Sequence, residues 1–262
     1  MTDQKDRLKE SESQVENAAE VEQPIEQVSS PKTVNFKAGT TFKVLSWIVT
    51  ILVPIVLVLT SVRLVMTPAF VFLEYHTPNF PKDTYGFTRQ DRLYWSRFAL
   101  AYLLNDEGIE YLGDLQFPNG SPAYNESELR HMVDVKNVAQ DALVVWYFTL
   151  GVILVLGVWA WFGGWWGNFS QGLERGGRLT LILVGVTLVV VLIGFGLFFV
   201  AFHDVFFDPG TWRFAFSDTL IRLFPERFWR DTFLAVGLLT GIGGLGLVLI
   251  FRRNLSLPTE TL

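Results

Sequence analysis

LTLILVGVTLVVVLIGFGLFFVAF, residues 179–202, runs from Arg178 to His203 without a charged side chain. As a helix it would rise about 36 Å, enough to cross a hydrocarbon core of about 30 Å. Lipid offers the backbone no hydrogen bonds, so the segment must be helical despite its many valines. Three further uncharged stretches flank it in the chain: Val44–Val62, Ala142–Leu173 and Thr232–Phe251. The second is too long for one span. Its later part carries Trp159, Trp161, Trp165 and Trp166 with Gly163 and Gly164, which reads as an interfacial aromatic belt and a turn, so the helix should end near Trp161. Pro54 predicts a kink in the first span. Gly237 and Gly241, with Gly243, Gly244 and Gly246 beyond, predict close helix approach by small residues more than dimerisation.

Composition agrees. Half of the 262 residues are hydrophobic, 18% are charged, and mean hydropathy is +0.32. The formal charge of −5 belongs to the first 26 residues, which hold eight acids and three bases; the remainder carries 18 of each sign. The acidic balance therefore describes a tail, and without a basic excess nucleic acid is not an expected partner. Cysteine is absent, which excludes disulfides, thiolate metal sites and a cysteine nucleophile.

Lys and Arg near the span ends set the orientation. Lys32, Lys37, Lys43, Arg175, Arg178, Arg252 and Arg253 fall on one side, while the intervening segments hold 16 acids and 11 bases. The expected arrangement is a disordered acidic cytoplasmic tail (1–40), four spans (41–67, 141–162, 179–202, 231–251), a cytoplasmic loop (163–178), a cytoplasmic end (252–262), and two outward insertions (68–140 and 203–230). The fold class is thus an all-α transmembrane four-helix bundle with a small extracytoplasmic α+β cap formed by the two insertions. Within the cap, FTRQDRLYWSRFALAYLL (87–104) reads as an amphipathic helix. Residues 105–122 read as a β-hairpin or meander closed by Pro-Asn-Gly-Ser, and Asn125 or Ser127 as the cap of a helix continuing into the second span.

All three histidines, His76, His131 and His203, fall in the insertions. Histidine suits proton transfer near neutral pH. Asp134 stands at i+3 from His131 and could orient its ring. Asp204, Asp208, Asp218 and Arg222 follow His203 among large aromatics. GxSxG, HExxH and Walker A motifs are absent. On residues alone, a histidine-based enzyme stands level with a non-enzymatic membrane scaffold, transporter accessory protein or metal sensor.

The strings SELRHMVDVK (127–136) and His203-Asp-Val-Phe-Phe, followed by Trp212, Asp218-Thr-Leu-Ile and Leu223-Phe-Pro225 before Phe228-Trp229, resemble the DUF1461 family of bacterial integral membrane proteins, which includes the lipoprotein intramolecular transacylase Lit. The resemblance covers most of residues 85–230. It implies four transmembrane helices, an extracytoplasmic cap, and two catalytic histidines in a cleft, which by motif are His131 and His203. His76 matches neither string. The implied reaction moves the sn-2 acyl chain of a diacylglyceryl lipoprotein onto the α-amine of its N-terminal cysteine, with membrane lipid and diacylated lipoprotein as partners and no cofactor or metal. Asp134, Lys136, Trp212, Asp218 and Arg222 are the expected supporting residues. An intermolecular lipid acyltransferase or esterase using the same histidines is the neighbouring alternative.

Overall fold

The computed structural model describes residues 38–252; the expected tails before and after them lie outside the described residues. Those residues form eight helices: α1 (Ala38–Val65), α2 (Pro68–Tyr75), α3 (Arg89–Leu104), α4 (Glu110–Gly113), α5 (Glu126–Phe162), α6 (Trp166–Phe206), α7 (Thr219–Leu223) and α8 (Glu226–Phe251). Helices α1, α5, α6 and α8 are long and apolar enough to cross a membrane. Their outward surfaces are apolar, with Ile193 84% and Leu197 82% exposed. Water would penalise such a surface, and hydrocarbon does not.

Helices α5 and α6 contain 37 and 41 residues, or about 55 and 60 Å at 1.5 Å per residue, so each outreaches a hydrocarbon core of about 30 Å. Gly163, Gly164 and Trp165 alone join them, Gly164 turning the chain with φ +73°. The two helices therefore run antiparallel. The start of α5 and the finish of α6 share one end of the bundle, the end that holds the site.

Segment 163–178, expected as a loop, is helical from Trp166 onward. Its glycines explain the difference. A Cβ on Gly172 would stand 2.6 Å from the Ser46 carbonyl oxygen, and one on Gly177 2.6 Å from that of Gly244. These close approaches to α1 and α8 reward helix where local propensity disfavours it. The same contacts occupy the glycines of α8: Gly237 faces Leu188, and Gly244 faces Thr180. Gly243 likewise faces Leu57, whereas a Cβ on Gly246 would meet no neighbouring atom within 4 Å. Hydroxyls complete the packing, Thr240 donating to Ser61 Oγ at 2.9 Å between α8 and α1, while Trp146 Nε1 donates to Thr60 Oγ1 at 2.9 Å. Helix α1 continues through Pro54, and α6 breaks its helical geometry at Gly194 (φ −149°, ψ 56°).

Above the bundle, the two insertions share one core. Trp95, Ala99, Tyr102, Leu112, Ala123, Tyr124 and Met132 come from the first insertion and the start of α5; Leu220 and Leu223 come from the second. Helix α3 starts at a capping box, Thr88 with Asp91, and α5 at another, Asn125 with Glu128. The β part of the expected cap is a correction. Among the described residues there is no strand; residues 105–122 form the single turn of α4 and one isolated antiparallel bridge between Gln116 and Pro122. Ile109, Leu112 and Leu115, three residues apart, all pack on the same core. That spacing is helical, and an isolated two-stranded hairpin is itself only marginally stable.

Candidate active site

His131 sits on the second turn of α5 and His203 on the last turn of α6. The antiparallel pairing of these helices brings together two residues 72 positions apart in sequence. Their rings lie 6.3 Å apart, centroid to centroid, at 21° between planes. That is too far for a direct bond of about 2.7–3.2 Å between ring nitrogens, and close enough for both rings to reach one group held between them.

Aromatic side chains enclose the pair. Phe207 stands 4.9 Å from the His131 ring and 5.5 Å from that of His203; Phe214 lies 5.3 Å from His131, Trp212 4.7 Å and Phe199 4.0 Å from His203. His131 is buried, and His203 is half-buried. His203 Nδ1 lies 2.8 Å from the Phe199 carbonyl oxygen. A carbonyl only accepts, so Nδ1 carries the hydrogen and Nε2 of the neutral ring holds a free lone pair. His131 Nδ1 is buried without a hydrogen-bond partner. Burial, and secondarily His203, push its pKa down to about 4, leaving the ring neutral at physiological pH.

The chain architecture around the pair can be compared with known proteins. A family described as lipoprotein intramolecular transacylase Lit matches residues 47–229. An uncharacterised protein of Aquifex aeolicus is 31% identical over 207 residues, spanning 78% of this chain and 91% of that one. The chain belongs to the Lit family. Among solved structures, Lit of Bacillus cereus, described as a membrane integral lipoprotein intramolecular transacylase, superposes with TM-score 0.65 at 20% identity, covering 82% of this chain and 95% of that one. A histidine-to-alanine variant of that protein superposes with TM-score 0.66. This second likeness is one of fold. The chain is accordingly a helical membrane protein of Lit type.

In this Lit-family chain the other expected site residues lie in varied places. Trp212 joins the histidine cluster, with its indole Nε1 buried and unpartnered. Asp134 does not reach His131 Nδ1. Lys136 Nζ donates to Asn105 Oδ1 at 3.1 Å and to the Glu107 carbonyl at 2.5 Å, and lies over the Tyr102 ring. It fastens the end of α3 to α5. Asp218 accepts from the Ala215 N–H at 2.9 Å, closing the turn before α7. Arg222 pairs with Asp83 Oδ2 at 3.0 Å, donates to the Tyr85 carbonyl, and stacks 3.5 Å from the Phe87 ring centre. Burial alone would raise the Asp83 pKa, but the Phe87 N–H and Arg222 hold it below its usual value. His76 is exposed, its Nδ1 against the Phe72 carbonyl, and among the described residues the three histidines form no metal-ligating cluster.

Glu128 escaped the sequence reading as a functional residue. It is 1% exposed; one oxygen accepts the Asn125 N–H at 2.9 Å, and the other accepts the Leu220 N–H at 2.7 Å. It ties the His131 helix to the second insertion, which carries Trp212 and Phe214. The Asn125-x-x-Glu128 spacing of a capping box was the available signal for its first bond; the second bond has no sequence signature.

Proposed function

We propose that this protein performs the reaction its family is named for, moving an acyl chain from the diacylglyceryl group of a lipoprotein to the α-amine of that lipoprotein's N-terminal cysteine. The observation that carries this reading is the facing pair of His131 and His203 within an aromatic enclosure. Donor ester and acceptor amine reside in one molecule, so correct placement supplies much of the rate without a covalent enzyme intermediate. The absence of cysteine from the chain is then no obstacle.

His203 Nε2 takes a proton as the amine nitrogen attacks the ester carbon, and returns it to the glyceryl oxygen as the C–O bond breaks. The products are an amide and an alcohol, and no net proton is consumed. The neutral His131 ring faces the same group and steadies it by hydrogen bonding. The enclosing phenylalanines suit an acyl chain and exclude water. The reading includes cytoplasmic termini and an outward-facing histidine end in a bacterial cytoplasmic membrane, on the strength of the Lys and Arg distribution.

The test is expression in a host whose lipoproteins are otherwise diacylated, followed by mass spectrometry of their N-terminal peptides. The expected product is the lyso form with an N-acyl chain, lost in His131→Ala and His203→Ala. Unchanged lipopeptides from the wild-type protein would overturn the assignment, and activity dependent on added phospholipid would indicate an intermolecular acyltransferase instead.

A further inference from the structure

Attack of an amine on an ester produces a tetrahedral carbon with a negative oxygen, and a site that catalyses it needs a hydrogen-bond donor aimed at that oxygen. The charged side chains that the sequence offers for this role are engaged elsewhere: Lys136 with Asn105 and Glu107, Arg222 with Asp83 and Tyr85. Apart from the histidines themselves, whose rings are assigned to the proton and the reacting group, a buried donor in contact with His203 is also not engaged. Trp212 is 8% exposed, its ring lies 4.7 Å from His203, and its Nε1–H is buried without a partner.

Buried polar atoms are overwhelmingly paired, so an exception calls for a reason. The indole nitrogen can donate but not accept, so only an incoming acceptor completes it. The ring is held in place, 6.4 Å from Phe199 and 5.3 Å from the Arg213 guanidinium carbon. Phe199 is also the residue whose carbonyl fixes the His203 tautomer, so the donor and the base are positioned by the same turn of α6.

We propose that the Trp212 N–H is the donor for the ester carbonyl oxygen of the substrate and holds the oxyanion during transfer. As the N–C bond forms, the carbonyl π pair moves onto the oxygen that faces Trp212. When the tetrahedral species collapses, that pair returns and the C–O bond to glycerol breaks. The indole hydrogen stays on Trp212 throughout; His203 carries the transferred proton. The assignment rests on the transacylase reading above.

The experiment uses the full chain, purified and assayed on a synthetic diacylglyceryl lipopeptide. Site-specific replacement of Trp212 by 3-benzothienylalanine keeps the bicyclic shape and substitutes sulfur for N–H. The isostere should unfold at the wild-type temperature yet lose about 100-fold in kcat, with KM held within about twofold. Trp212→Phe, which also lacks the donor, should show a comparable kcat loss. A benzothienyl variant with wild-type kcat, or one whose loss lies wholly in KM, would overturn the proposal while leaving the transacylase reading intact. A wild-type protein inactive on the lipopeptide would overturn both.

Discussion

His203 and His131 sit in different electrostatic settings although their rings face one another. His203 has its proton position set by the Phe199 carbonyl, whereas His131 has an unpartnered nitrogen in an apolar enclosure. Its pKa falls from 6.5 to about 4, so between those pH values the unfolded chain binds a proton that the folded chain refuses. Stability from this residue is complete above about pH 6.5 and declines as pH falls toward 4. Glu74, buried near Asp231, behaves oppositely: its pKa rises from 4.5 to about 7, and its contribution declines as pH rises through that window. Comparing wild type with His131→Gln isolates the histidine. The stability advantage of the wild type, measured by thermal unfolding in detergent, should shrink from pH 7 to pH 4.5. An advantage independent of pH would contradict a neutral, buried His131.

The elements at the site are joined by hydrogen bonds across the two insertions. Glu128 on α5 accepts the Leu220 N–H of α7, Arg92 on α3 donates to the Arg222 carbonyl at 2.8 Å, and Tyr75 on α2 donates to the Leu223 carbonyl at 2.9 Å. Each satisfies a backbone group that would otherwise be costly to bury. Glu128→Gln keeps the shape but replaces one acceptor oxygen by a donor nitrogen. The expected cost is about 1–3 kcal/mol for the orphaned backbone N–H, read as a lower unfolding temperature, with His131 and Trp212 less well held and activity reduced. An unchanged unfolding temperature would show that the link does not support the site. The α5 cap was legible because capping is local, involving residues three apart; the Thr88–Asp91 box of α3 has the same local spacing but was identified only in the structure. The α4 segment reads as a hairpin by its turn residues and alternation, and only its packing on Ala123, Tyr124 and Met132 selects the helical turn.

Across the whole molecule, the absence of cysteine makes orientation directly measurable. Asn119→Cys lies in the larger insertion and Asn168→Cys at the opposite end of α6 from His203. In intact cells, a membrane-impermeant maleimide should label Asn119→Cys and spare Asn168→Cys until the membrane is opened; the reverse pattern would invert the proposed topology. The four helices of membrane-crossing length, the α5 cap and the two histidine-bearing strings were determined by the sequence alone, because hydrophobic length, capping and motif spacing act between residues near one another in the chain. The tertiary structure decided what depends on distant segments meeting. It brought His131 and His203 face to face by pairing α5 with α6, directed Lys136 and Arg222 into structural contacts, left the Trp212 N–H free beside the pair, and turned the glycines of 163–178 into helix contacts. Those outcomes follow from burial and hydrogen-bond completion in three dimensions, which no local pattern of residues encodes.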